Sequence, residues 1–142
     1  MKRIILFLTL MLLFSCDKEK KQVEKFTFWE TFTTTDDTNF LLNHSKDTIK
    51  CSECNVENEL ITKQAFFKND FRGIISKLKG EEYYTHKEKR NNEYIYRVSY
   101  TLGEKKIIDK IFNNKAEGVT TLIFMLTEKD RKIIFEGVIS VP

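Results

Sequence analysis

Apolar residues recur with two different periods in the two halves of the chain. In the first half, Phe67, Phe71, Ile74 and Leu78 follow one another at spacings of four, three and four. That repeat places side chains on one face of an α-helix. Phe66 and Ile75 widen the stripe, Thr62 stands where an N-cap belongs, and Gly80 stands where a C-terminal cap glycine belongs. The spacing predicts one helix over Leu60 to Leu78. Upstream, Phe26, Phe28, Trp29 and Phe32 form a dense aromatic start, and Trp29 and Phe32 share a helical face. Thr33 to Asp37 is rich in capping chemistry, and Asp36 or Asp37 is placed to cap a second short helix carrying Phe40, Leu41 and Leu42. Asp47 to Lys50 reads as a short strand.

The second half changes to a period of two. Tyr94, Tyr96, Val98, Tyr100 and Leu102 alternate with polar or mixed residues, the pattern of a half-buried antiparallel strand. Glu81 to Glu88, with Tyr83 and Tyr84, reads as its partner across a turn at Arg90-Asn91-Asn92-Glu93. Val119 to Thr127 and Lys132 to Val141 read as two more strands around a turn at Lys129-Asp130. The charged stretch from Gly103 to Gly118 connects the two hairpins, with a short helical piece around Ile107 to Phe112. Helices first and strands second define an α+β class.

The N-terminus is different in kind. Lys2 and Arg3 precede an apolar run from Ile4 to Phe14 that is too short to span about 30 Å of hydrocarbon as a helix. The run ends in Leu13-Phe14-Ser15-Cys16. This order resembles the leader and lipobox of bacterial lipoproteins. The resemblance implies cleavage before Cys16, acylation of that cysteine, and a membrane anchor in the cell envelope. Two or more acyl chains hold a protein stably where one does not. Residues 1–15 are then a signal peptide, and 16–23 are the lipidated cysteine with a polar, flexible tether. Residues 24–142 form a single α+β domain. Which leaflet carries the anchor is not written in the residues after Cys16.

The helix carrying Phe28, Trp29 and Phe32, the helix after Asp37, the Phe66 to Leu78 helix and the final hairpin together resemble the nuclear transport factor two-like family. This family is also described as SnoaL-like or cystatin-like cones. The resemblance implies N-terminal helices packed on a curved antiparallel sheet of about four strands. The family holds isomerases and dehydratases as well as non-catalytic ligand and protein binders, so the fold alone names no activity. Trp29, Phe32, Tyr94, Tyr96 and Tyr100 are the residues placed to line, or to fill, the interior of such a cone. Lined, it takes a small amphipathic ligand. Filled, the domain is a module for an envelope protein.

Catalytic candidates are sparse. His44 and His86 are the two histidines, and His86 sits in a strand that becomes highly charged. Asp109, between Lys106 and Lys110, reads as a solvated face. No acid/base pair is assigned, and no catalytic residue, metal site or cofactor is expected. Cys51-Ser52-Glu53-Cys54 is the one constellation with reactive chemistry. It is open to three readings: a local disulfide, favoured by an oxidising envelope, a redox dithiol, or half of a metal site to which His44 adds at best a third ligand. A thioredoxin-like role lacks the proline that faces such sites, since Pro142 is the single proline.

Composition narrows the partners. Twenty-four Lys and Arg against 21 Asp and Glu give +3, and two of those positive charges lie in the leader. So balanced a domain lacks the basic excess that nucleic acid requires. The mixed runs at Lys87 to Arg90 and Glu104 to Lys106 read as solvated surface. The expectation is a lipid-anchored, non-enzymatic ligand- or protein-binding module. A SnoaL-like isomerase or dehydratase is the alternative, and a thiol redox protein using Cys51 and Cys54 is third.

Overall fold

The computed structural model describes residues 26–103 and 120–142. The leader, Cys16, the tether, the helical piece around Ile107 and Asp109 all lie outside these residues. The element order is α1 (Thr27–Thr34), α2 (Thr38–Asn43), β1 (Ser45–Cys51), a 3₁₀ turn (Glu57–Glu59), β2 (Leu60–Thr62), α3 (Lys63–Asn69), α4 (Phe71–Lys77), β3 (Tyr83–Arg90), β4 (Glu93–Leu102), β5 (Thr120–Lys129) and β6 (Lys132–Val141). No described helix is long and apolar enough to cross a membrane.

The α+β class stands, and the sheet corrects the expectation twice. Among the described residues it has six strands, in the order β2-β1-β6-β5-β4-β3, where about four were expected. It is also mixed and not purely antiparallel, because β1 runs parallel to β6, with Cys51 beside Val138. Two of the extra pairings come from short, polar segments. β2 is three residues long and buries only Ile61, too short a run for a period to be read. β1 buries only Ser45, Ile49 and Cys51 of its seven residues.

The single long helix is the third correction. Leu60 to Thr62 is strand, and the remainder divides at Asp70 into α3 and α4. Thr62 still caps, its hydroxyl accepting from the Ala65 N–H at 3.3 Å. The stripe passes through the break, with Phe66, Phe71, Ile74 and Leu78 all buried. The chain leaves α4 through Gly80 at φ +88°, a left-handed conformation that suits glycine.

Local chemistry explains the short N-terminal helices. Thr33 and Thr34 donate their hydroxyls back to the carbonyls of Trp29 and Glu30, at 2.9 and 2.7 Å, which competes with a continuing helix. The Asp37 carboxylate accepts from the N–H groups of Asn39 and Phe40 and starts α2. Arg72 reaches across from α4. It donates to the carbonyls of Thr33 and Thr35 and to the Asp36 carboxylate, which satisfies one carbonyl in the last turn of α1 and that of its C-cap residue.

All four described helices feed aromatic rings onto one face of the sheet. Phe32 is the hub, with ring centroids of Phe28, Trp29, Phe67, Phe71 and Phe135 between 5.4 and 6.0 Å away. The β5–β6 pairing shifts register between Met125 and Leu126, so that Glu136 is the extra residue of a bulge. A bulge bends its strand and increases local twist, which curves the sheet around these rings. The Lys129–Lys132 turn carries Asp130 and Arg131 at φ +50° and +64°. Two positive φ values in a two-residue loop match the twist of a hairpin.

Candidate functional site

The face of the sheet that meets α1 holds the residues singled out by the alternation. Direct cross-strand partners share a face. Tyr83 opposes Tyr100, Thr85 opposes Val98, Lys87 opposes Tyr96 and Lys89 opposes Tyr94. Tyr94, Tyr96 and Tyr100 therefore do lie on one face, with Trp29 packed against Tyr100, while Phe32 sits further along, over β6.

The inner part of this face is closed by side chains. Trp29 and Phe32 are 0% exposed, and Tyr100 is 6% exposed. The Trp29 ring lies 4.6 Å from Phe124 and 6.5 Å from Tyr100. Its indole N–H donates to the Tyr100 hydroxyl at 2.8 Å, so the one polar atom of each buried ring is satisfied by the other. At the edge, the Phe26 N–H donates to the Tyr83 hydroxyl at 3.1 Å. That hydroxyl in turn donates to the Glu30 carboxylate at 3.1 Å.

Toward the Asn91-Asn92 turn the face is exposed only in part, with Tyr94 half-buried and Tyr96 buried. Phe26 stacks on Tyr96 with centroids 4.7 Å apart and planes within 12°. The Tyr96 hydroxyl donates to the Glu128 carboxylate. The Lys87 ammonium sits over the Tyr94 ring at 4.2 Å and the Tyr96 ring at 5.1 Å. Tyr94 is half-buried, and Lys87 is exposed.

Three of these phenols share an electrostatic consequence. Burial pushes the pKa of Tyr83, Tyr96 and Tyr100 above the ordinary 10.0, and the neighbouring carboxylates Glu30 and Glu128 push Tyr83 and Tyr96 further the same way. The folded state holds these protons more tightly than the unfolded chain. The stability this represents is complete below the ordinary phenol value and is lost as pH rises through the raised values. The melting temperature should therefore fall above about pH 10. Tyr100→Phe should reduce that alkaline slope. A melting temperature flat from pH 9 to 11.5 contradicts this account.

The other sequence candidates lie elsewhere. His44 ends α2, its Nδ1 2.9 Å from the accepting Phe40 carbonyl and its ring 4.3 Å from the Phe40 ring. His86 is exposed opposite Arg97, on the other face of the sheet. The sulfurs of Cys51 and Cys54 stand at disulfide-bonding distance, with Cα atoms 5.4 Å apart. Both cysteines are buried, at 0% and 4% exposure. Ser52 between them donates its N–H to the Val138 carbonyl and accepts at its hydroxyl from the Ser140 N–H, which ties the turn to β6. A loop so short supplies only about 2 kcal/mol of chain-entropy stabilisation. Among the described residues no group of three or more His, Cys, Asp or Glu converges as a metal site. A shallow cleft between the two hairpin turns, lined by Arg90, Asn92, Glu93, Ile95 and Lys129, is spanned by the Lys129–Glu93 ion pair at 3.2 Å.

Sequence reasoning missed Lys87, Glu30 and Glu128. For Lys87 a signal was present: counting outward from the Asn91-Asn92 turn places it directly opposite Tyr96. Glu128 had no such signal, because its register with Tyr94 depends on how β5 returns after a long connection.

No family model matches the chain, and no curated protein matches it. A solved structure whose title begins Rd1NTF2 matches with a TM-score of 0.46 and 10% identity, covering 81% of this chain and 96% of that one.

Proposed function

We propose that this chain is a lipid-anchored, non-catalytic binding module of the bacterial envelope, built on a cone of the nuclear transport factor two-like type. The observation that carries the reading is the closed aromatic interior. Trp29, Phe32, Tyr100 and Phe124 fill the interior beneath α1 with side chains, and the polar atoms of Trp29 and Tyr100 are spent on each other. The N-terminal helices on one face of a bulged sheet support the cone. The leader ending in Leu13-Phe14-Ser15-Cys16 supports the anchor. Burial of Cys51 and Cys54 supports a structural disulfide over thiol exchange, which needs an accessible sulfur.

One observation favours the SnoaL-like isomerase or dehydratase as a second reading. The Glu30 carboxylate and the Tyr83 hydroxyl form a half-buried acid/base pair beside Tyr100. In the free protein that hydroxyl already accepts from the Phe26 backbone.

Two readouts test the proposal. In a bacterial host fed an alkynyl palmitate, the membrane fraction should carry labelled protein, and Cys16→Ala should abolish the label. Trp29 is the single tryptophan, so acrylamide quenching of the mature protein reads the interior directly. A quenching constant typical of a buried indole is expected. Free access of acrylamide to Trp29 would reveal an open cavity and favour the enzyme.

A further inference from the structure

We propose that Tyr94, Tyr96 and Glu128 form a recognition site for methylated organic ammonium cations, held shut in the free protein by the chain's own Lys87. The proposal rests on the binding-module reading and gives that module a ligand class.

The geometry is that of an aromatic cage with an occupant already in place. Tyr94 and Tyr96 are two residues apart on one strand and project to the same side. Both ring faces receive the Lys87 ammonium, at 4.2 and 5.1 Å, within the range at which a cation is attracted by a ring quadrupole. Lys89 reaches the Tyr94 ring as well, at 5.9 Å. Behind the cage, Phe26 stacks flat on Tyr96 and fixes its plane. On the β5 side, Glu128 accepts from the Tyr96 hydroxyl and places a negative charge at the mouth. The Tyr96 hydroxyl and the Glu128 charge also raise the pKa of Lys87 and keep it cationic.

Three features point to displacement of Lys87 by a ligand. Lys87 lies on β3, the edge strand of the sheet, and is exposed, so its flexible stem can swing into water without disturbing packing. The cage offers two π faces and one carboxylate. Hard metal ions need several oxygen ligands, whereas a methylated ammonium presents apolar methyl groups around a diffuse charge. Such a cation is also more weakly hydrated than a primary ammonium, so it loses less on entering a half-buried site.

The test uses the mature protein in a maltoside detergent, which carries no ammonium headgroup. Tetramethylammonium chloride is titrated against sodium chloride at equal ionic strength, and the Tyr94 and Tyr96 ring signals are followed by NMR. Tetramethylammonium should shift both rings saturably, and sodium should not. Lys87→Gln removes a tethered competitor and should tighten binding about tenfold, the closed-to-open ratio that a cation–π contact of ordinary strength gives a side chain already positioned over the rings. Adding Tyr94→Leu to Lys87→Gln should abolish the saturable shift. Equal responses to the two salts, or no tightening in Lys87→Gln, would overturn the proposal. Trp29 emission recorded in the same samples reports whether each variant is folded. Its quenching constant separately tests the closed interior, so the cage and the binding-module reading fail by different signals.

Discussion

Phe32→Ala should destabilise the domain by about 3–5 kcal/mol, the cost of truncating a fully buried aromatic that leaves a cavity. Phe32 is 0% exposed and is the ring on which both halves of the helical layer converge. Phe28 and Trp29 reach it from α1, Phe67 and Phe71 from α3 and α4, and Phe135 from the sheet. These neighbours hang from separate elements whose backbones are fixed by Arg72, Thr62 and the sheet pairing. The site therefore collapses poorly, and poor collapse sets the cost at the upper end of the range. Because a small domain has only about 5–15 kcal/mol in total, the variant should lose much of its urea midpoint. Phe40→Ala is the control. Phe40 is half-buried and 6.4 Å from Phe32, so it should cost clearly less. Equal losses in the two variants would show that Phe32 is not the hub.

Gly137→Ala should be about as damaging, by a different route. Gly137 lies on β6 directly beside Lys50 of β1. A Cβ there would come well inside van der Waals contact with the carbonyl oxygen of Lys50, and would lie 2.9 Å from its Cβ and 3.0 Å from its backbone nitrogen. Backbone atoms in a hydrogen-bonded strand cannot step aside as a side chain can, so β1 must separate from β6. The cost should reach or exceed the ~3 kcal/mol that overpacking commonly brings. The loss should also be uneven. Amide exchange should accelerate first across β1 and β2, which join the sheet only through β6. Gly73→Ala is the counterpart: nothing lies within 4 Å of its Cβ position. In the interior of an exposed helical face that change should stabilise by about 0.5–1 kcal/mol. Slow exchange across β1 in Gly137→Ala would contradict the account.

Much of the architecture was legible where the signal is local. The turn at Asn91-Asn92, the cap at Asp37, the cap at Thr62 and the shared face of Tyr94, Tyr96 and Tyr100 all follow from residues within a few positions of each other. What failed was non-local or short. Nothing inside Ser45 to Cys51 announces a parallel partner nearly 90 residues away in sequence. The hydrophobic stripe from Phe66 to Leu78 continues across Asp70 although the helix does not, because the buried positions on both sides of the break face the same core. Leu60, the first residue of that predicted helix, is 54% exposed and belongs to an edge strand. The Trp29–Tyr100 hydrogen bond spans 71 positions, and no periodicity encodes which phenol an indole will meet.

The place of β6 between β1 and β5 has a consequence for the order in which the molecule can be made. Synthesis delivers α1 through β2 early, yet β1 has no long partner until β6 emerges. Until then the rings of α1, α3 and α4 have no Phe135 or Val138 to cover them. A sheet closed by its last strand links residues far apart along the chain, and such connectivity slows folding. The nascent domain thus stays open until nearly all of it has been produced, then closes as one unit.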